Sequence, residues 1–192
     1  MRTGVLGGVF NPPHIGHLVC AQEARWQLDL DEVLLMPVGE APHRTIEHDP
    51  GPEERFELCR LAAEGAEWLT ASRAEVDRPG PSYTADTLER LGEAELFFVL
   101  GADQALRLSE WHEPERVLRA ATLAIVEREG LSIEDVQAAV SAVGKARVER
   151  VAMPRIDVSS TEVRRRVGER KPYRFFVPER VADRIERAGL YR

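Results

Sequence analysis

Two histidines three residues apart, His14 and His17, close the run Gly7-Gly8-Val9-Phe10-Asn11-Pro12-Pro13-His14-Ile15-Gly16-His17. Imidazoles beside the unpaired backbone N–H groups of a helix entrance suit an anion, and the glycines ahead of them suit a nucleotide's phosphates. Gly7 and Gly8 have no Cβ, so a polyphosphate can approach the backbone closely and the turn can use φ values closed to other residues. Pro12 and Pro13 hold the loop extended and stop the helix starting early. Gly16 keeps the helix entrance open, where the positive end of the dipole favours negative charge. Taken singly, a glycine pair is often only a tight turn and a lone histidine a surface or satisfied core residue. The joint pattern at a strand-to-helix junction is far more specific. Zinc is the rival use of two histidines, but a structural site wants four ligands, Cys20 and Cys59 are far from a paired spacing, and no third catalytic ligand is suggested nearby.

A second constellation is Asp157-Val158-Ser159-Ser160-Thr161-Glu162-Val163-Arg164-Arg165-Arg166. Ser159 or Ser160 can cap a helix, and the hydroxyl of Thr161 still faces its open N–H groups. Arg164, about one turn on, can reach back to the same anion with a planar fork of paired donors. The plain alternative is an ordinary Ser-capped helix with a solvated basic face. Beside the first motif, the two helix entrances together would grip a triphosphate from two sides.

These residues need a frame of strands and helices. Ahead of the glycines, residues 3–6 form a short apolar run of strand type, and after them Leu18, Ala21, Ala24 and Leu28 recur at roughly helical spacing. Residues 33–38, 69–76, 96–100, 123–126 and 148–153 suit further strands, several buried on both faces. Residues 53–64, 85–91, 115–120, 132–143, 160–167 and 178–188 suit helices. The alternation predicts an α/β fold with a doubly wound, mainly parallel sheet, whose ligands gather at the carboxyl ends of the strands. Residues 39–53, rich in Pro, His and acids, read as a mobile loop over that edge.

The chain has 192 residues, enough for one good core, so a single domain spanning 1–192 is the economical expectation. Its net charge of −7, with both signs mixed along the chain, argues against DNA or long RNA as a partner. Two separated cysteines, no long apolar stretch and no leader-like start predict a cytoplasmic protein with no membrane partner.

With both motifs in view, the chain resembles the nucleotidylyltransferase family, and within it the bacterial nicotinate-nucleotide adenylyltransferases along nearly its whole length. The resemblance extends to Pro42-His43-Arg44, Pro81-Ser82-Tyr83-Thr84-Ala85-Asp86-Thr87-Leu88, Phe98-Val99-Leu100-Gly101-Ala102-Asp103, Trp111 and the ending Gly189-Leu190-Tyr191-Arg192. It implies a Rossmann-like nucleotidyltransferase fold and transfer of AMP from ATP to nicotinate mononucleotide, giving deamido-NAD and pyrophosphate. It also implies roles. His14, His17 and Arg164 are the catalytic donors to the phosphates. Gly7, Gly8, Phe10, Gly101, Asp103, Ser159, Ser160 and Thr161 bind ATP, with Gly101 and Asp103 at the ribose. His43, Arg44, Ser82, Tyr83, Thr84 and Trp111 bind the mononucleotide, Arg44 at its phosphate and Trp111 at its pyridine ring. Mg2+ is implied as cofactor, held by phosphate oxygens and water and not by a carboxylate cage.

Several of these positions have plainer alternatives. Asp103 suits a helix N-cap, Trp111 ordinary partial burial, and Arg44 a solvated charge on a loop. The family more often has two prolines and a lysine where this chain has Ala41 and Arg44; lysine occurs only at Lys145 and Lys171, so the arginine fits the composition. Val158 is a mild change from the usual isoleucine. His48, His112, Arg165 and Arg166 carry no assigned chemistry and are expected at the surface. The N–H groups at Ser82–Thr84 suit a nicotinate carboxylate over an amide.

Class I aminoacyl-tRNA synthetases share the His14-Ile15-Gly16-His17 signature, but they need a lysine-rich second signature and a tRNA-binding extension. Phosphopantetheine adenylyltransferase is nearer but lacks the Ser-Tyr-Thr and Trp111 markers. A catalytically silent nucleotide sensor is the alternative of another class. Oligomeric state is left open, a homo-oligomer included.

Overall fold

A computed structural model describes residues 1–42, 45–92, 95–127 and 130–192. Its six strands are β1 (Arg2–Gly8), β2 (Glu32–Pro37), β3 (Leu69–Ala71), β4 (Glu95–Gly101), β5 (Thr122–Val126) and β6 (Val148–Val151). Between and after them run α1 (Ile15–Gln27), α2 (Pro52–Ala63), α3 (Thr84–Arg90), α4 (Ala102–Ala105), α5 (Pro114–Ala120), α6 (Ile133–Val143), α7 (Ser160–Gly168) and α8 (Glu179–Ala188). The strands form one sheet in the order β3-β2-β1-β4-β5-β6, and every pairing is parallel. The mainly parallel sheet read from the sequence is thus wholly parallel, a single domain of Rossmann-like order.

Alternation of side chains along each strand fills two layers. Leu96, Phe98 and Leu100 of β4 face α3 to α6 through Leu88, Ala105, Leu118, Val136 and Val140. Phe97 and Val99 point the other way, to Ala21 and Ala24 of α1 and Cys59 and Ala63 of α2. Burial on both faces explains why these strands read as continuous apolar runs. Helices α7 and α8 pack on α2 in a third cluster that includes Leu58, Val163, Val167, Val181 and Ile185. In this way α7, last but one in the chain, is carried back beside the end of β1.

Strand β3 is shorter than the run 69–76 predicts. Ala71 pairs with Leu35, and Ser72 N–H still donates to the Leu35 carbonyl at 2.9 Å. The next ladder bond in the parallel pattern needs an N–H from residue 37, which is proline. The ladder stops there, and residues 72–83 are released to cross the carboxyl edge of the sheet. The chain reverses its winding direction between β1 and β4, which opens a crevice at the carboxyl ends of those two strands. Among the described residues no helix is long and apolar enough to cross a membrane.

Candidate active site

The turn after β1 is built on its own side chains. Phe10 has φ of 51°, a left-handed value for a residue with a Cβ, and its ring is 2% exposed. A Cβ on Gly8 would lie 3.3 Å from that ring, so the glycine makes room for an aromatic wedge under the turn. The ring also meets His17 edge-on, with centroids 4.9 Å apart. Asn11 and Pro12 are joined by a cis peptide bond.

His14 is the N-cap of α1. Gly16 N–H donates to His14 Nδ1 at 3.1 Å, and His14 N–H donates to His17 Nδ1 at 3.1 Å. The two imidazoles thus replace the usual hydroxyl and carboxylate of a reciprocal capping box, and their rings lie 3.8 Å apart. With Nδ1 accepting, the proton of each neutral ring is on Nε2, which makes Nε2 the donor atom. Gly16 is required by this arrangement: a Cβ there would lie 3.0 Å from His14 Cε1 and Nδ1.

Helix α7 is stitched to the same turn. Ser159 is its N-cap, with the Oγ accepting Glu162 N–H at 3.1 Å. Ser160 Oγ donates to Pro12 O at 2.8 Å. Arg164 Nη1 donates to Asn11 O at 2.8 Å and Nη2 to Thr161 Oγ1 at 3.4 Å. Its guanidinium therefore lies against the histidine turn, 12% exposed, with Glu47 3.9 Å away. Arg165 and Arg166 instead pair with Glu162, which they hold down to a pKa of about 2. They form a solvated ion-pair face, as expected for residues without assigned chemistry.

From Gly7 and Gly8 a cavity of about 570 Å³ runs over β2 and β4 to a second aromatic group. Its wall includes Met36, Ser82, Tyr83, Thr84, Phe98 and Trp111. Trp111 meets Phe98 edge-on at 5.9 Å, and Tyr83 stacks on His112 at 4.1 Å. His112 is exposed as expected, yet it lines this cavity. Arg107 and Glu110 on the rim are paired at 2.6 Å, and the arginine holds the Glu110 carboxyl below its ordinary pKa.

The structure thus groups the expected residues in two neighbouring places. Gly7, Gly8, Ser82, Tyr83, Thr84 and Trp111 share the cavity wall. Phe10, His14, His17, Ser160, Thr161 and Arg164 gather round the turn that begins at Gly8. Gly101 and Asp103 stand at the end of β4, outside that wall. The alternative that Asp103 caps a helix is overturned: Gly101 is the N-cap of α4, and Asp103 sits exposed within its first turn, accepting from Gln104 Nε2 at 2.9 Å. His43 and Arg44 lie outside the described residues.

The arrangement matches known proteins along its whole length. A cytidylyltransferase-like family model covers residues 5–166. A probable nicotinate-nucleotide adenylyltransferase of Roseiflexus sp. (strain RS-1) is 42% identical over 98% of this chain and 97% of that protein. One from Thermus thermophilus is 40% identical over 100% of both. The chain belongs to the nicotinate-nucleotide adenylyltransferase family. Among solved structures, Plasmodium falciparum nicotinic acid mononucleotide adenylyltransferase, complexed with APC in one case and NaAD in another, shares the fold of this family member. Both have a TM-score of 0.79, at 15% and 16% identity, and cover 99% of this chain with 96% and 97% of their own.

Two ionisable residues that shape this adenylyltransferase-family site were missed in the sequence. Arg55 is fully buried. Its guanidinium donates to the carbonyls of Val9, Val38 and Gly39 and pairs with Asp49 at 2.9 Å. It ties the loops that follow β1 and β2 to the 39–53 segment. That segment was expected to be mobile, yet its described part is held by Asp49 and by Asn11 Nδ2 donating to Glu47 O at 2.8 Å. The available signal was a charge three and four residues before Leu58 and Cys59, on the apolar face of α2. Glu75, 8% exposed, is the other; it was hidden by counting residues 72–76 as strand.

Proposed function

We propose that this chain transfers AMP from ATP to the 5′-phosphate of nicotinate mononucleotide, giving nicotinate adenine dinucleotide and pyrophosphate. The observation that carries the proposal is one continuous cavity joining the glycine end of β1, where the histidine turn starts, to an aromatic pocket walled by Tyr83 and Trp111. A dinucleotide product needs both ends within reach of each other, and the names of the relatives agree with that pairing.

A phosphate oxygen of the mononucleotide attacks the α-phosphorus of ATP in line, the bond from the α-phosphorus to the bridging oxygen breaks, and pyrophosphate leaves with the electron pair. The nucleophile is already an anion, so no covalent intermediate or general base is required, and positioning with charge neutralisation supplies the rate. In this scheme the Nε2–H groups of His14 and His17 donate to α- and β-phosphate oxygens. Arg164 exchanges the Asn11 carbonyl for β- and γ-phosphate oxygens. Because the Ser160 hydroxyl is committed to Pro12 O, the donors contributed by the start of α7 are its first-turn N–H groups and the Thr161 hydroxyl. Gly101 and Asp103 serve the ATP ribose, Trp111 the pyridine ring, and His43 with Arg44 the mononucleotide phosphate.

Magnesium would enter the site with the triphosphate and would be held through it, not by protein carboxylates. Bound there it supplies neutralisation of charge on the departing pyrophosphate.

The deciding experiment incubates the protein with magnesium, ATP and either nicotinate or nicotinamide mononucleotide, and reads dinucleotide mass and pyrophosphate together. Dinucleotide from the acid with weak use of the amide is the expected result. Pyrophosphate without dinucleotide, or ATP binding without turnover, overturns the proposal in favour of another acceptor or a sensor; equal kcat/KM for both mononucleotides overturns the acid preference alone.

A further inference from the structure

Behind the Tyr83–Thr84 wall of the cavity lies a buried carboxyl that the reaction scheme does not use. Glu75 leaves the edge of the sheet after β3, is 8% exposed, and lines the cavity on the side of Ser82 and Thr87. Thr87 Oγ1 donates to Glu75 Oε1 at 2.7 Å, and the Ser82 hydroxyl is a second hydrogen-bond partner of the carboxyl. Ser82 is in turn fixed to the loop after β2: its Oγ accepts Gly39 N–H at 3.2 Å, and its N–H donates to Glu40 O at 2.9 Å. Gly39 has no room for a side chain, since a Cβ there would lie 2.2 Å from the Glu75 carbonyl oxygen. Its own carbonyl accepts from Arg55 Nη2 at 3.0 Å.

The result is one chain of hydrogen bonds running from α2, through the loop after β2, to both ends of the turn that presents Tyr83 and Thr84. Glu75 is the node at which Ser82, before that turn, and Thr87, one helical turn after it, meet. A buried carboxyl is costly unless its lone pairs are occupied, and here two hydroxyls occupy them. Burial still pushes its pKa above the usual carboxylate value, against the pull of Thr87, Arg78, Ser82 and Arg55. A glutamate kept at such a cost, in the cavity wall and bonded to Ser82 and Thr87 on either side of Tyr83 and Thr84, is placed to set the shape of that part of the pocket.

We propose that Glu75 is a positioning residue for the mononucleotide end of the cavity: by holding Ser82 and Thr87 it fixes the Tyr83–Thr84 part of the wall shared with Trp111, and so controls affinity for the acceptor and not for ATP. This inference rests on the proposed function. The test is steady-state kinetics of the full chain with Glu75→Ala, Glu75→Gln and Thr87→Val, varying ATP and nicotinate mononucleotide separately, with a thermal melt of each variant. The expected result is a rise of about tenfold in KM for the mononucleotide in Glu75→Ala, from the loss of a buried acceptor shared by two hydroxyls. KM for ATP and kcat at saturating mononucleotide stay within about threefold, and Glu75→Gln, which retains one acceptor oxygen, recovers part of the loss. If Glu75→Ala does not fold, Thr87→Val cuts the same link with little change of volume and is expected to raise the same KM. Unchanged mononucleotide KM, or equal losses in both KM values and kcat, overturns the positioning role. A wild-type protein that makes no dinucleotide overturns the proposed reaction and this role with it, whereas wild-type turnover with unshifted variants overturns this role alone.

Discussion

Gly16→Ala separates geometry from stability at the histidine turn. The added methyl would stand 3.0 Å from His14 Cε1 and Nδ1, whereas carbon atoms rest at roughly 3.5 Å or more. The imidazole must therefore retreat by about 0.5 Å, a displacement comparable to the tolerance of a productive catalytic constellation, roughly 0.5 Å. It cannot retreat freely, because Nδ1 also accepts the N–H of residue 16 at 3.1 Å. Weakening that cap costs about 1 kcal/mol. Replacing glycine by alanine inside a helix returns about 0.4–1 kcal/mol through the unfolded chain, and residue 16 does not need a positive φ. The two nearly cancel, so Tm should move little. The catalytic loss does not cancel: if a 1 Å misplacement costs about a hundredfold, half of that costs about tenfold, or about 1.4 kcal/mol in the barrier. Pyrophosphate release under saturating ATP and mononucleotide reads kcat, and differential scanning calorimetry reads Tm. A variant with wild-type kcat would refute the claim that the His14 ring position matters, and a fall in kcat matched by a large fall in Tm would refute the separation.

Arg164→Ala should lower kcat by about 10²–10³-fold, as for other donors aimed at developing transition-state charge, with little change in KM for the mononucleotide; Arg164→Lys should recover only part, since a point charge replaces a fork. If KM alone rises in initial-rate measurements, Arg164 is a binding residue only. Arg55→Met should destabilise the fold by roughly 3–5 kcal/mol, because Asp49 and three loop carbonyls lose their buried donor. For a chain of this size that is a Tm drop of about 10 °C, and a melt within about 2 °C of wild type would remove the role assigned to Arg55.

Features that depend on near neighbours in the chain were legible in the residues. The strand and helix around His14 and His17, the cap at Ser159, and the apolar runs of β4 and β5 are set by propensities and periods that act over a few positions. Most helix boundaries followed for the same reason. Features that depend on what a residue meets across the fold were not. The expected glycine turn is a correction: Gly7 and Gly8 end β1 without a left-handed φ, and the left-handed residue of the turn is Phe10, whose ring packs against Gly8. The run 69–76 looks extended, and only its pairing with β2 shows that Pro37 cannot supply the bond that would continue it. The shift frees Glu75 to enter the cavity wall. Arg55 reads as a charge on an apolar helix face, and only the tertiary structure brings three carbonyls and Asp49 to it. Arg164 was legible as an anion donor, but its hold on Asn11 O, like that of Ser160 on Pro12 O, spans about 150 positions of chain. The sequence alone determined which chemical groups stand at the start of each helix, because caps and turns are local. The tertiary structure decided which of those starts face one another and which buried charges hold them there, because packing and hydrogen bonding between distant segments carry no local period.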